Sequence, residues 1–296
     1  MLERSTASAP DELLRTISAD GSVSVRVVVA TRLVREAARR HQTAPTATVA
    51  LGRALMGTLL LATEAQDGER VQVQVRGDGP LGTITVTASS AGDVRGYVAR
   101  PDTDLPLRRE RFDVPGAVGL GLLSVERNHP SWKQPYNGIV PLVSGEIATD
   151  LAHYLLESEQ KPSAVALGVY VGAGGEVQGA GGYLVQSLPG ADDAALRVLE
   201  QRVAALVQPS ALVREGAGAT ALLDRLVGGL GAQPVQRVRP RFRCSCSMER
   251  VRRALVFLGD DEIRDILAKN ETLEVRCEFC AEMYYVPPDR VAALAG

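Results

Sequence analysis

All four cysteines of this 296-residue chain lie near its C-terminal end, and they come in two close pairs. They are Cys244, Cys246, Cys277 and Cys280. The segment that contains them, at about residues 236–296, is small, and its sequence predicts little buried apolar area. A unit of this size usually needs a disulfide or a metal ion to stabilise it. The cysteines therefore constrain how this end of the chain can fold.

The cysteine segment has the pattern of two short helices and one hairpin. Ser247 can cap a first helix that ends at Gly259, and Asp260 can begin a second helix. Strands are predicted at 273–276 and 283–286, on either side of the second cysteine pair.

The spacing of the cysteines suits a shared metal ion. Two residues separate Cys277 from Cys280, so both sulfurs of one tight turn can reach one ion. Cys244 and Cys246 are closer in sequence, and an extended backbone with a turn can still bring their thiolates together. Four soft thiolate ligands suit tetrahedral Zn²⁺, with bonds of about 2.3 Å. Because such binding can contribute roughly 10–16 kcal/mol to folding, we expect loss of zinc to unfold this segment.

Cellular location bears on the role of these thiols. The first ten residues contain no basic segment followed by an apolar core, so no secretory signal is predicted. The longest apolar stretch, at residues 54–62, is too short to span a bilayer. We therefore expect a cytoplasmic protein, in which clustered cysteines are more often metal ligands or redox centres than structural disulfides. The formal net charge of -2 gives no electrostatic argument for nucleic acid or a membrane surface.

Spacing leaves the role of the zinc site open. The site could be purely structural, or it could be a switch, because zinc-bound sulfur is held as the thiolate that oxidants attack. Both close pairs could form local disulfides, which would destroy the ligand set. A constitutive zinc module that binds nucleic acid or a protein is a second hypothesis. A third is a thiol–disulfide oxidoreductase using Cys277 and Cys280, although C-x-x-C here precedes a strand, whereas in thioredoxin-like sites it opens a helix.

The chain before the cysteines predicts an α+β fold, with a mixed core domain at residues 1–188. Strands are predicted at 23–30, 71–76, 83–88, 94–99 and 164–171, and helices at 31–40, from Pro45 onward and at 146–159. Short turns between the second, third and fourth strands favour an antiparallel meander over a regular βαβ series.

Residues 189–235 predict helices that are interrupted by proline and glycine. Leu196, Leu199, Val203 and Leu206 recur at helical spacing, and Pro209 interrupts that pattern. A short helix at 220–227 then ends at Gly228. We interpret the segment as a helical linker before a C-terminal zinc-binding α+β domain at 236–296. A helical subdomain that packs on the core is the alternative.

Other motifs give no argument for an enzyme. Residues 77–82 fit G-x-G-x-x-G, but a hairpin is predicted where a dinucleotide site needs a helix N-terminus. Glycines at 172–175 and 179–182 are interpreted as turn residues. The scattered His41, His129 and His153 are assigned structural roles.

The alternating arginines near the cysteines are a possible phosphate-binding pattern. They are Arg237, Arg239, Arg241 and Arg243. Because an acidic cluster follows at residues 260–265, the sequence favours a solvated strand or intramolecular charge pairing over phosphate binding.

The C-x-C pair, residues 247–276 and the C-x-x-C pair are accompanied by further distinctive segments. These lie at 41–45, 51–54, 76–82, 92–97, 136–142, 158–163 and 180–186. Together they resemble the bacterial family of thirty-three-kilodalton redox-regulated heat shock chaperones, also called chaperonins. The resemblance covers most of the chain and includes all four cysteine positions.

The resemblance implies an ATP-independent holdase that is active under oxidative stress. In the reduced family state the four cysteines hold one zinc ion and the protein is inactive. Oxidation pairs Cys244 with Cys246 and Cys277 with Cys280, expels zinc and unfolds the C-terminal domain. The helical linker is then destabilised and exposes apolar surface, for which Leu199 and Val203 are candidates. The implied partners are unfolding client proteins and, after activation, a second copy of the chain.

Overall fold

The computed structural model describes residues 9–191, 193–206, 208–257 and 260–292. The chain forms two compact units, one ending at Phe242 and the other beginning at Arg243. The predicted α+β class is confirmed in each of them.

The first unit combines two sheets with seven helices among its described residues. Its strands are β1 (Glu12–Ile17), β2 (Val23–Val29), β3 (Arg70–Gly77), β4 (Thr83–Ser89), β5 (Asp93–Val98), β6 (Gly121–Asn128), β7 (Tyr136–Pro141), β8 (Ser163–Val171), β9 (Val177–Ser187), β10 (Gln236–Val238) and β11 (Arg241–Phe242). Its helices are α1 (Thr31–His41), α2 (Pro45–Ala62), α3 (Val114–Val118), α4 (Ala148–Glu157), α5 (Asp193–Ala205), α6 (Pro209–Arg214) and α7 (Ala219–Val227).

One sheet has five antiparallel strands in the order β10-β1-β2-β9-β8. Its central strand β2 is buried at every position, and five of its seven residues are valines. Arg26 of β2 is buried as well and pairs with Glu64. Successive side chains point to opposite faces of a strand. Val28 accordingly joins the main core, whereas Val25 and Val27 join a second apolar cluster on the other face.

The other sheet has six strands in the order β11-β5-β4-β3-β6-β7. β3, β4 and β5 form the predicted antiparallel meander. β11 adds to its edge in parallel with β5.

Helix α2 is the centre of the main core. It begins at Pro45 as predicted, and it packs against strands of both sheets. By length and composition its 18 residues could cross a membrane, but 89% of that window is buried inside this unit. Its apolar sequence is therefore explained by packing within the protein.

Helices α6 and α7 cover the second face of the five-stranded sheet. Leu212, Leu222 and Leu226 are buried there with Val25 and Val27. Pro209 begins α6, and α7 ends next to Gly228 as predicted. The side chains of Leu196 and Leu199 lie outside the described residues.

The structure confirms the prediction for the glycine motif at residues 77–82 and contradicts the prediction for the one at 179–182. Gly77 to Gly82 link β3 to β4 as the predicted hairpin, with Arg76 paired to Thr83. A Cβ atom on Gly77 would lie 1.8 Å from the Val118 carbonyl oxygen, so close packing explains this motif. The interpretation of residues 179–182 as a turn is wrong, because they form the middle of β9. Residues 172–175 are outside strands and connect β8 to β9.

The second unit contains a hairpin and three short helices among its described residues. These are α8 (Met248–Leu255), α9 (Asp260–Lys269), β12 (Leu273–Arg276), β13 (Met283–Val286) and α10 (Pro288–Ala292). The predicted hairpin strands are confirmed, and β12 pairs antiparallel with β13. α8 ends at Leu255, and the predicted stop at Gly259 lies outside the described residues. The core of this unit is a small cluster formed by Val251, Leu255, Ile263, Val286 and Val291.

Residues 236–242 belong to the first unit, because β10 pairs with β1 and β11 pairs with β5. The compact cysteine unit therefore begins at Arg243, seven residues after the predicted domain boundary at residue 236. Division into a core at 1–188, a linker at 189–235 and a switch domain at 236–296 stays a functional prediction.

Charge pairing of the arginines is confirmed for Arg237, which binds Glu12 at 2.6 Å, and for Arg241, which binds Asp93 at 3.0 Å.

Candidate metal centre

Two separate segments of the second unit bring the four cysteines together. One pair precedes α8, and the other follows β12. All four sulfur atoms lie within 4.8 Å of one another. The Sγ atoms of Cys244 and Cys277 are 3.8 Å apart, and those of Cys246 and Cys280 are 3.3 Å apart. None of the four cysteines is in a disulfide bond, and both distances are much longer than the S–S bond of about 2.05 Å.

The turn after β12 holds the second cysteine pair by backbone hydrogen bonds. The Cys277 N–H donates to the Glu282 carbonyl at 2.9 Å, and the Ala281 N–H donates to the Cys277 carbonyl at 2.8 Å. Ala281 has a φ of 57°, in the left-handed region that closes such a tight turn. The amide N–H groups of Phe279 and Glu282 point to the sulfurs of Cys277 and Cys280.

The start of α8 holds the first cysteine pair. The Ser247 hydroxyl accepts a hydrogen bond from the Arg250 N–H at 3.3 Å, which confirms the predicted N-cap. The Arg250 guanidinium donates to the Ser245 hydroxyl at 2.7 Å, so the residue between the two cysteines is attached to the same helix. A further contact comes from the hairpin, where the Tyr284 hydroxyl donates to Cys246 Sγ at 3.1 Å.

Burial makes the thiols of Cys277 and Cys280 poor anions without a cation. It raises the pKa of Cys277, and the neighbouring Cys244 and Cys246 add to the increase despite a hydrogen bond from Cys280. Cys280 is only 2% exposed, and burial raises its pKa strongly. The hydrogen bond to Cys246 likewise raises the pKa of the Tyr284 hydroxyl, which therefore remains a donor at neutral pH. A bound cation would reverse the effect on the thiols, because a metal ion stabilises coordinating thiolates.

The donor set fits a tetrathiolate metal site. Bonds of about 2.3 Å in a regular tetrahedron place the sulfurs about 3.8 Å apart. Two of the sulfur–sulfur separations, 3.8 Å and 3.3 Å, are close to that value, and all of them are within 4.8 Å. Soft sulfur ligands in this arrangement favour Zn²⁺ over hard ions such as Mg²⁺ and Ca²⁺. The four predicted ligands are thus brought together at separations that could hold a metal ion.

Comparison with known families decides the relationship. The profile of the family described as Hsp33 protein matches residues 11–287. This chain belongs to the Hsp33 family. The resemblance inferred from the cysteine pattern and the earlier segments is therefore confirmed. The Hsp33 match includes both compact units, since it extends from β1 to the end of the hairpin and beyond.

Relatives in the Hsp33 family are similar over nearly their whole length. The 33 kDa chaperonin of Nostoc punctiforme is 45% identical over 289 residues, which cover 96% of this chain and 95% of that relative. The 33 kDa chaperonin of Desulfotalea psychrophila is 41% identical over 276 residues, covering 93% and 94%. The crystal structure of the 33 kDa chaperonin from Thermotoga maritima, a heat shock protein 33 homolog, has a TM-score of 0.90 at 34% identity and covers 96% of this chain and 97% of its own.

The remaining candidate residues of this Hsp33-family chain are dispersed. His41 is buried in α1 and contacts the Phe242 ring, and His153 is in α4. His129 holds a loop through Ser131 and the Asp67 carbonyl. The sequence did not identify Tyr284 as part of the cysteine site. Its position in a strand four residues after Cys280 was the available signal, but only the hairpin geometry brings it to Cys246.

Proposed function

We propose that this chain is a redox-regulated, ATP-independent holdase rather than an enzyme. In the reduced state Cys244, Cys246, Cys277 and Cys280 would hold one Zn²⁺ ion and the protein would be inactive. On oxidation the zinc site would be lost, and the chain would bind unfolding proteins and prevent their aggregation. The observation that carries the proposal is the convergence of four cysteine sulfurs, none of them in a disulfide bond, within 4.8 Å in a small unit of an Hsp33-family chain.

The chemistry of the switch follows from the thiolates. Each pair would reduce one peroxide molecule: an S–S bond forms, the O–O bond breaks, and with two protons from solvent the oxygens leave as two water molecules. We assign the disulfides to Cys244 with Cys246 and to Cys277 with Cys280. A disulfide sulfur is no longer a thiolate ligand, so both oxidations together remove the metal site.

The small size of the second unit makes its fold dependent on the metal. Among the residues that the structure describes, its core consists of five buried apolar residues and six partly buried ones that pack against them. Metal binding at such sites contributes roughly 10–16 kcal/mol, which exceeds what this cluster could supply alone. Oxidation would therefore unfold the unit.

The apolar surface for clients would lie beneath the helical linker. α6 and α7 bury leucines against the valine-rich face of β2. If these helices separated from the sheet, both their own apolar sides and that face of β2 would be exposed. An exposed apolar surface of this kind can bind unfolding chains without ATP.

The connection between linker and cysteine unit offers a route for the signal. β10 and β11 lie between α7 and Arg243, and they are held by strand pairing and by the Arg237–Glu12 and Arg241–Asp93 ion pairs. These are short edge strands. Unfolding of the cysteine unit would remove the ordered chain that follows them, and we propose that the linker loosens from this point.

Several further features belong to the same proposal. We place the protein in the cytoplasm, where reducing conditions keep the switch off. We expect the activated form to be a homodimer. The near-neutral net charge of -2 favours neither nucleic acid nor a membrane as a partner.

One experiment separates this function from its alternatives. The reduced, zinc-loaded full chain is treated with peroxide at elevated temperature, and zinc release, proteolysis of the C-terminal unit and light scattering by a denaturing client are followed. We expect zinc release, new cleavage after Arg243 and suppressed scattering. Zinc release without suppression would reject the holdase, and retention of zinc would favour a constitutive zinc module.

A further inference from the structure

We propose that Tyr284 is a positioning residue of the switch, whose hydroxyl stabilises the Cys246 thiolate and slows its oxidation. The inference rests on the proposed function, and it adds a residue outside the four ligands that sets metal affinity and the oxidant threshold.

The position of the hydroxyl is fixed by the fold of the second unit. Tyr284 lies in β13 opposite Val275 of β12, and its ring packs against the small apolar core. The hydroxyl reaches Cys246 Sγ at 3.1 Å and donates to it. A residue on the hairpin is thereby connected to the cysteine pair that precedes α8. Tyr285, the next residue, points to the opposite face of the strand and is 55% exposed.

The hydrogen bond matters because of the charge of the site. Four thiolates around one dication leave an excess of two negative charges. A donor to a charged sulfur makes a charge-assisted hydrogen bond, which is stronger than a neutral one. Such contacts around a metal site orient its ligands, and removing them typically costs about 10–100-fold in metal affinity.

The same hydrogen bond lowers the reactivity of the sulfur. In the first oxidation step the Cys246 sulfur attacks peroxide, an S–O bond forms, the O–O bond breaks and hydroxide leaves. The Cys244 thiolate then attacks that sulfur and displaces a second hydroxide, which completes the disulfide. Thiolate nucleophilicity rises with basicity, with a Brønsted coefficient of about 0.4–0.5. A donor that withdraws electron density from Cys246 therefore slows the first step.

Tyr284→Phe tests the inference in the full-length, zinc-loaded protein, and Tyr285→Phe is the matched control because it removes the same group from the exposed face. For Tyr284→Phe we expect zinc affinity, measured by chelator competition, to fall about ten-fold or more. Mass spectrometry should show peroxide oxidation at Cys246 that is faster by about two- to three-fold, because the sulfur has lost its hydrogen-bond donor. The Tyr285→Phe variant should match the wild type.

Unchanged zinc affinity and Cys246 oxidation in a zinc-retaining Tyr284→Phe variant would overturn the inference. So would an equal acceleration at Cys277, since that indicates general loosening of the unit. If the wild type itself retained zinc after oxidation, the proposed function would fail instead.

If Tyr284→Phe does not fold, Tyr284 can be replaced by 3-fluorotyrosine, which should change the oxidation rate of Cys246 in the opposite direction. It keeps the ring and hydroxyl but is a stronger donor. Slower oxidation at Cys246 in that protein supports the inference, and an unchanged or faster rate rejects it.

Discussion

Gly179 of β9 faces the backbone of Ser210 in α6 so closely that a Cβ atom on Gly179 would lie 2.5 Å from the Ser210 carbonyl oxygen. Gly181 makes a similar approach, since its Cβ would lie 2.8 Å from a methyl carbon of Val213. The glycines of β9 therefore let α6 lie directly on the sheet. Because α6 belongs to the proposed linker, this close packing is part of what keeps the apolar face covered.

Gly179→Ala should weaken the attachment of α6. The added methyl group meets backbone, which cannot move aside as a flexible side chain could, and such overpacking typically costs about 1–3 kcal/mol. We expect the reduced, zinc-loaded variant to bind an apolar dye more strongly than the wild type, to be cleaved faster within α6 and to suppress client aggregation partly without oxidant.

Gly174→Ala is the control for that change. A Cβ there meets only the end of the exposed Glu176 side chain, at 2.7 Å. It should leave dye binding and proteolysis unchanged. Equal behaviour of the two variants would show that release of α6 does not expose the client surface.

Oxidation should produce local disulfides within each cysteine pair. The two short sulfur–sulfur distances in the structure instead lie between cysteines of different pairs: 3.8 Å from Cys244 to Cys277 and 3.3 Å from Cys246 to Cys280. Crosswise disulfides would close loops of more than thirty residues and stabilise the unit by about 3–4 kcal/mol, which opposes activation. Peptide mapping of the peroxide-treated protein should therefore find Cys244 with Cys246 and Cys277 with Cys280. Crosswise pairs in an active protein would contradict the proposed unfolding step.

Removal of the metal under reducing conditions should unfold the second unit and leave the main core of the first unit folded. A chelator would take away the stabilisation that the small cluster around Val251 and Val286 cannot replace. Proteolysis should then cut within residues 243–296, while the large core around α2 stays protected. Added zinc with a thiol reductant should restore protection. Full protection of the second unit after complete metal removal would show that its apolar core is sufficient.

Stability at acid pH should depend on Glu159. Burial raises the pKa of this carboxyl, but Arg127 and Lys161 outweigh burial and hold the pKa below its usual value of 4.5. A group with a lowered pKa in the folded state stabilises the fold above its unfolded pKa, and that contribution is lost as the pH falls through the folded pKa. We therefore expect the free energy of unfolding of the first unit to decrease as the pH falls below about 4.5.

Glu159→Gln should lower that free energy by about 1.5–3 kcal/mol at neutral pH, because it loses charged hydrogen bonds, and it should flatten the decline in acid. Urea unfolding at stepped pH measures both effects. Glu36→Gln is the control, since its ion pairs with Arg39 and Arg40 lie at the surface of α1 and should contribute less than about 1 kcal/mol. An acid profile unchanged by Glu159→Gln would assign the transition to other groups.

Local sequence patterns predicted elements whose determinants are themselves local. The hairpin strands at 273–276 and 283–286, the Ser247 cap and the start of α2 at Pro45 are found as expected. The sequence analysis did not predict β9, because its glycines resemble a turn. They are needed for the close approach of α6, a helix that follows in the chain. β7 was missed because Gly138 and Pro141 weaken its strand pattern, although pairing with β6 supplies its partner.

The sequence alone determined the four candidate ligands, the α+β class and the family to which the chain belongs, because thiol chemistry, short-range spacing and chain-wide similarity are properties of the residues themselves. Only the tertiary structure decided that 236–242 join the first unit, that α6 and α7 cover the valines of β2, and that Tyr284 reaches Cys246. These relationships join residues far apart in sequence. They depend on strand pairing and close packing, whose partners no local pattern identifies.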